Sequence, residues 1–377
     1  MDLGTGKTTI IKTIIDIYEG KGKKVVLCAP TGRAAKRMTE MTSKDASTLH
    51  RLLEIGKIDE DNLYQNTSNY EGAPIDGDLI IVDEMSMVDM FLMNYLLKCI
   101  YQGTKLILVG DEDQLASVGP GTVLKDLIHS EKIPTIHLDK IFRQAAKSKI
   151  ILNAHRVNQG ENFINKNDED FSEEMKDDFF FIKGFDQGKM LSEVISLCTG
   201  RLQNYGNYDF FQNIQVLSPT KKGMLGTKEL NKALQSQLNP NINNLPEKAS
   251  MGVIYRVGDR VMQIKNNYDI YWERKISNKE GASIKNTNGG IKQNDNNSNK
   301  IEMGSGVFNG EIGTITKIDE REKQVEIKFD DEKVAWYEFS ELDQIEHSYA
   351  ITIHKSQRKW IWCCSYGNST YGTNTNN

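Results

Sequence analysis

The chain has 377 residues, enough for two or three domains, and its 38% hydrophobic and 26% charged content is that of a soluble globular protein. Its longest apolar runs, such as 79–82 and 106–109, are strand-sized, which excludes a membrane-spanning reading. The net charge of −5 gives no support to nucleic-acid binding and does not exclude it, because a phosphate backbone responds to a local basic groove. The cysteines at Cys28, Cys99, Cys198, Cys363 and Cys364 lack paired or metal-ligand spacing, and no charged-then-apolar leader opens the sequence, so a cytoplasmic setting is expected.

In chain order, Ile10, Ile11, Ile14, Ile15 and Tyr18 recur at helical spacing, with Gly20 as the stop. Residues 25–28 then read as a buried strand and 33–41 as a helix. Residues 79–82 read as a second strand, 88–100 as a helix and 106–109 as a third strand. Continuous apolar strands separated by helices predict an α/β fold with a parallel sheet covered on both faces. Between 53 and 76 the rhythm lapses into polar, turn-rich sequence, the pattern of an inserted hairpin or loop. Residues 153–160 close a further helix, and 161–178 form an acidic connector. From 252 onward short β-like runs at 260–264, 313–316 and 324–329 predict a small β module. Residues 277–305 are rich in Asn, Gly, Lys and Ser and read as a disordered loop.

Three clusters carry chemistry. Gly4-Thr5-Gly6-Lys7-Thr8-Thr9 opens the first helix. In the phosphate-loop pattern the glycines turn backbone N–H groups toward phosphate oxygens. The lysine (Lys7) neutralises β/γ charge, and a hydroxyl (Thr8) holds Mg²⁺. ATP and Mg²⁺ are the cofactors this predicts. Asp83-Glu84 follows directly on the second strand. A carboxylate at the tip of a buried parallel strand can hold Mg²⁺, and its neighbour can orient and deprotonate the attacking water. Gln114, in Gly110-Asp111-Glu112-Asp113-Gln114, lies after the third strand, where an uncharged amide can hydrogen-bond both a γ-phosphate and that water. Any one cluster alone could be a solvated turn. Three successive strands ending in polar groups point to a ligand, because ligands bind outside the carboxyl ends of such sheets.

These segments resemble the motifs of the RecD-like branch of superfamily 1 DNA helicases, the family of the exodeoxyribonuclease V alpha subunit. So do Ala29-Pro30-Thr31-Gly32-Arg33-Ala34-Ala35, Asp83-Glu84-Met85-Ser86-Met87-Val88-Asp89, Ile141-Phe142-Arg143-Gln144-Ala145, Leu217-Ser218-Pro219-Thr220-Lys221-Lys222-Gly223 and Tyr349-Ala350-Ile351-Thr352-Ile353-His354-Lys355-Ser356-Gln357. The resemblance runs from residue 1 to 357. It implies two RecA-like motor domains of the P-loop NTPase class: 1–143, with a candidate strand-separating pin at 54–76, and 144–251 joined to 341–377. An SH3-like β insertion would occupy 252–340. It further implies ATP-dependent 5′→3′ translocation on DNA in repair or recombination, on single-stranded and duplex DNA, with nuclease-complex subunits as conceivable partners and no membrane. Lys7, Glu84, Gln114 and Arg143 would be catalytic, the last as an arginine finger. Gly4, Thr5, Gly6, Lys7, Thr8 and Thr9 would bind ATP, and Thr8 and Asp83 the metal. Pro30, Thr31, Thr48, His50, Thr352, His354 and Lys355 would contact DNA, with capping or packing as the open alternative for each.

Both ends depart from that pattern. The first glycine of the phosphate loop falls on Met1, so the family's N-terminal domain and the strand entering the loop are expected to be missing. That loss should leave apolar sheet edges uncovered. After Gln357 the family continues with a glycine turn, a buried strand and a last arginine motif, whereas this chain reads Arg358-Lys359-Trp360-Ile361-Trp362-Cys363-Cys364. The tail is read as out of frame: deleting one A from CAA AGG AAG TGG ATT TGG yields Gln-Gly-Ser-Gly-Phe, which restores the turn. A genuinely encoded, divergent tail stays open as the alternative. So does a catalytically impaired nucleotide- or DNA-binding fragment beside the active enzyme.

Overall fold

A computed structural model describes residues 7–55, 72–138, 148–161, 178–242, 244–276 and 300–356, together with the backbone of 363–366. The chain divides into two compact units, residues 1–183 and 184–377.

In the first unit, helix α1 (Lys7–Glu19) is followed by β1 (Val25–Ala29), α2 (Gly32–Thr42), β2 (Ala46–Thr48), the single turn α3 (Leu49–Leu52), β3 (Leu79–Val82), α4 (Met90–Lys98), β4 (Lys105–Leu108), α5 (Val123–His129) and α6 (Lys149–Asn158). The four strands form one parallel sheet in the order β2-β1-β3-β4. The sequence of β3, Leu79-Ile80-Ile81-Val82, is fully buried, because alternate side chains serve two cores. Leu79 and Ile81 pack with Leu27 and with Ile11 and Ile15 of α1, which lie one helical turn apart. Ile80 and Val82 pack on the opposite face with Cys28, Met85, Leu92, Tyr95 and Leu96. Each such buried aliphatic contributes roughly 1.5–3 kcal/mol, so β3 anchors the unit.

β4 is the terminal strand among the described residues, and its Leu106, Ile107 and Leu108 are only half-buried. Beyond α5 the apolar Ile136 is 88% exposed.

Capping explains where the helices start. Thr31 Oγ1 accepts from Ala34 N–H at the start of α2, and Ser43 ends that helix in the left-handed region (φ 56°). Asp89 Oδ1 accepts from Leu92 N–H (2.7 Å) at the start of α4. That cap is why the predicted helix 88–100 begins at Met90, after a separate 3-10 turn, Met85–Met87.

The second unit holds α7 (Gln187–Ser196), a three-stranded sheet in which β5 (Ile214–Ser218) lies parallel to two later strands, and α8 (Thr227–Leu238). A short antiparallel pair, β6 (Glu247–Ser250) and β7 (Val253–Arg256), leads into the β module. The module's strands are β8 (Arg260–Gln263), β9 (Asn267–Ile276), β10 (Lys300–Val307), β11 (Ile312–Asp319), β12 (Gln324–Phe329), β13 (Val334–Glu338) and β14 (Ile345–His347). They form one antiparallel sheet ordered β10-β9-β13-β12-β11-β8-β14, around Val261, Ile315, Val325, Ile327, Ala335 and Tyr337. The run predicted at 313–316 extends to Asp319 because a bulge between Ile315 and Lys317 restores register with β12. After β14 the chain returns to the three-stranded sheet as β15 (Ala350–Thr352), turns through α9 (Ile353–Ser356), and ends in β16 (Cys363–Tyr366) on the other side of β5.

Candidate nucleotide site and polar strap

Because all four strands of the first unit are parallel, their carboxyl ends share one edge. Pro30-Thr31 leaves β1 there, Asp83-Glu84 leaves β3, and the segment running to Gln114 leaves β4. Three backbone hydrogen bonds tie these exits together. Asp83 N–H donates to Cys28 O (3.0 Å), Val109 N–H to Val82 O (2.8 Å) and Met85 N–H to Val109 O (2.9 Å). The carboxylate pair is thus fixed between neighbouring strands.

Glu84 adopts the left-handed conformation (φ 58°, ψ 44°), and Asp83 Oδ1 accepts its N–H at 2.8 Å. A non-glycine residue there costs about 1–2 kcal/mol, and such strain accumulates where a side chain must be aimed. Both carboxylates are half-buried. Gln114 Nε2 donates to Asp111 Oδ2 (3.3 Å), while Asp111 Oδ1 accepts from Asp113 N–H (3.2 Å), so the amide is held by the turn that precedes it. Lys7, Thr8 and Thr9 open α1, whose N-terminus carries the positive end of the helix dipole.

Among the described residues no three His, Cys, Asp or Glu converge as a metal cluster. Gly4, Thr5, Gly6 and Arg143 lie outside the described residues, as do 56–71 of the candidate pin and 277–299 of the Asn-rich loop.

The residues assigned to DNA divide by unit. Pro30 is buried, Thr31 caps α2, and Thr48 Oγ1 caps α3 by accepting from Arg51 N–H (3.1 Å). A threonine oxygen that accepts in a cap keeps its own O–H as a donor, so capping and a phosphate contact are compatible at Thr48. His50 is half-buried on α3. In the second unit Thr352 Oγ1 accepts from Lys355 N–H (3.4 Å), His354 is exposed, and Lys355 Nζ pairs with Glu346 Oε2 at 2.7 Å. The sequence offered no signal for Glu346 as the partner of Lys355, since the pairing depends on β14 lying beside α9.

Sequence reasoning also missed how Gly119 serves the site. The segment after Gln114 crosses the N-terminus of α4, where Met90 N–H donates to Pro120 O (2.9 Å). A Cβ on Gly119 would stand 1.9 Å from Asp89 Oδ2. The Asp89 at the end of the carboxylate motif and the Gly119 after Gln114 are thus neighbours.

Behind the site, Cys28 is fully buried and its thiol donates to Ile81 O (3.6 Å). Burial pushes the thiol up to about 12. At pH 8 only about one part in 10⁴ would be thiolate. Site-resolved mass spectrometry after iodoacetamide treatment at pH 8 should show native Cys28 unmodified and denatured Cys28 fully alkylated. Rapid native labelling would contradict this packing.

A parallel sheet with a lysine-led helix and a carboxylate pair at its carboxyl edge is the architecture of a P-loop domain. Residues 3–171 match the family model of an AAA domain, and 230–329 match that of the ATP-dependent RecD-like DNA helicase SH3 domain. The ATP-dependent RecD2 DNA helicase of Deinococcus radiodurans is 32% identical over 362 residues, covering 94% of this chain and 40% of that protein. The RecBCD enzyme subunit RecD of Buchnera aphidicola is 27% identical over 420 residues, covering 94% and 62%. The crystal structure of Pif1 helicase from Candida albicans aligns with a TM-score of 0.45 at 17% identity, over 94% of this chain and 80% of that one. The chain is thus similar to RecD-like DNA helicases along most of its length, and it spans 40% and 62% of the length of the two curated relatives named. No helix among the described residues is long and apolar enough to cross a membrane.

Proposed function

We propose that the chain is the motor of an ATP-dependent 5′→3′ DNA helicase or translocase, working in the cytoplasm in DNA repair or recombination. The observation that carries this reading is the Asp83-Glu84 pair, fixed by backbone hydrogen bonds between the ends of β1 and β4 on the edge that also presents Gln114.

In this reading Lys7 and the backbone of 4–9 hold the phosphates, and Lys7 neutralises their charge. Thr8 and Asp83 would hold Mg²⁺, which when bound supplies charge neutralisation at the β/γ-phosphates. Glu84 orients the attacking water and takes its proton, and Gln114 hydrogen-bonds the same water and the γ-phosphate. Arg143 stabilises charge in the transition state. Pro30, Thr31, Thr48 and His50 from one unit, and Thr352, His354 and Lys355 from the other, grip single-stranded DNA mainly through its phosphates. Association with nuclease-complex subunits, of the kind named for the Buchnera relative, belongs to the same proposal. The domain boundaries at 143, 251 and 340 and the frameshifted tail after Gln357 remain proposals alongside it.

ATP hydrolysis by the full chain, measured with and without single-stranded DNA, tests the reading. The expected result is DNA-stimulated turnover that Lys7→Ala abolishes. Turnover no higher than that of the Lys7→Ala chain would overturn it.

The ion pair at Lys355 makes a finer prediction. Glu346 competes with phosphate for the ammonium, and a half-buried, solvent-screened pair such as this one is worth on the order of 1 kcal/mol. Glu346→Gln is therefore expected to tighten binding of a labelled oligothymidylate about two- to fivefold at low salt, less at high salt. Unchanged or weaker binding would remove Lys355 from the DNA contacts.

A further inference from the structure

The second unit contains a buried polar centre that the catalytic reading does not use. Asp259, in the turn between β7 and β8, is 0% exposed, and both of its oxygens are saturated. Oδ1 accepts from Tyr349 OH (2.8 Å) and Asn239 Nδ2 (2.7 Å). Oδ2 accepts from Gln235 Nε2 (2.7 Å) and Arg256 N–H (2.7 Å) and faces His347 Nε2 at 3.0 Å. Burial raises the Asp259 carboxyl, but the hydrogen bonds and charge of His347, with Asn239 and the Arg256 N–H, outweigh it and hold the group below its usual range.

The donors come from three places. Gln235 lies on α8 and Asn239 directly after it, His347 and Tyr349 flank the junction of β14 and β15, and Arg256 ends β7. One turn before Gln235, the Asn231 amide donates to His347 O (3.1 Å) and Ala350 O (3.0 Å) and accepts from Ala350 N–H (2.7 Å). Residues 231, 235 and 239 are four apart, so one stripe of α8 reads the strap 347–350 while Leu230 and Leu234 serve the core. That strap runs without interruption into Thr352, His354 and Lys355.

We infer that Asp259, with Asn231 and Tyr349, is a positioning device that fixes the Thr352–Lys355 strap against the β module and so sets the second unit's grip on DNA. The inference rests on the DNA-binding role proposed above for that strap. Here five donors from separate segments converge on one carboxylate, and the strap it orders carries the polar residues. None of the three residues touches DNA in this account; they act through the strap.

The test compares the full chain with Asp259→Asn and with Tyr349→Phe, which deletes one hydroxyl and keeps the ring. Anisotropy of a labelled oligothymidylate and binding of a fluorescent ATP analogue are read in parallel, with circular dichroism as the check on folding. The expected result is DNA affinity reduced about tenfold in Asp259→Asn and about threefold in Tyr349→Phe, with ATP-analogue affinity within about twofold of the parent. If Asp259→Asn fails to fold, Tyr349→Phe decides. Parent-like DNA affinity in the folded variants, with only thermal stability lowered, overturns the positioning role and leaves the functional reading standing. A parent chain with no affinity for the oligonucleotide overturns both.

Discussion

Glu84→Gln is expected to lower DNA-stimulated ATP turnover about a thousandfold while leaving ATP affinity within about twofold, since a positioned general base contributes about 10²–10⁴ in rate. The substitution keeps volume and hydrogen-bonding capacity and removes only basicity. The geometry around it should survive. Glu84 is held by its own N–H on Asp83 Oδ1, and Met85 N–H by Val109 O, neither of which involves the Glu84 side chain. Lys7→Ala should behave differently, losing nucleotide affinity together with turnover because it removes charge from the phosphates. Steady-state hydrolysis beside equilibrium nucleotide binding separates the two. Turnover within about tenfold of the parent chain would take the base role away from Glu84.

Gly119→Ala is expected to destabilise the first unit by about 2–4 kcal/mol, summing the usual cost of overpacking with the loss of a helix cap. The added methyl would sit 1.9 Å from Asp89 Oδ2, and Asp89 is the cap of α4. Relief requires moving either the segment 117–121, losing the Met90 N–H to Pro120 O bond, or the Asp89 side chain, losing the Leu92 N–H bond. Either movement also disturbs the connection to Gln114, so coupling of hydrolysis to DNA should fall with stability. Val118→Ala is the control, because Val118 is 92% exposed and should be nearly neutral. A unit of this size should melt about 5–15 °C lower in Gly119→Ala. Equal melting temperatures for the two variants would show that the segment does not pack on α4 as described.

The parallel sheet was legible because β3 is apolar on both faces, and a run such as Leu79-Ile80-Ile81-Val82 has few other homes. The strand predicted at 324–329 coincides with β12, where Val325, Ile327 and Phe329 alternate inward. Other features depend on distant partners and leave no local trace. β2 is three residues long and forms only because β1 offers it an edge, and β14 exists because β8 does. Asp259 follows Gly258 in an ordinary turn pattern; only the fold brings His347, Tyr349 and Asn239 to it. In the candidate site, residue types and spacing were enough to nominate Lys7, Asp83, Glu84 and Gln114. The Asp89–Gly119 contact and the Lys355–Glu346 pair needed the three-dimensional arrangement.

In the proposed function the carboxyl edge of the first unit's sheet binds ATP with a magnesium ion that Asp83 would hold. Titration of a fluorescent ATP analogue into the parent chain and Asp83→Asn, each with and without Mg²⁺, addresses it directly. The account predicts that Mg²⁺ tightens binding to the parent chain at least about tenfold and has little effect on Asp83→Asn, because the metal loses its protein carboxylate. Identical Mg²⁺ dependence in the two chains would contradict it.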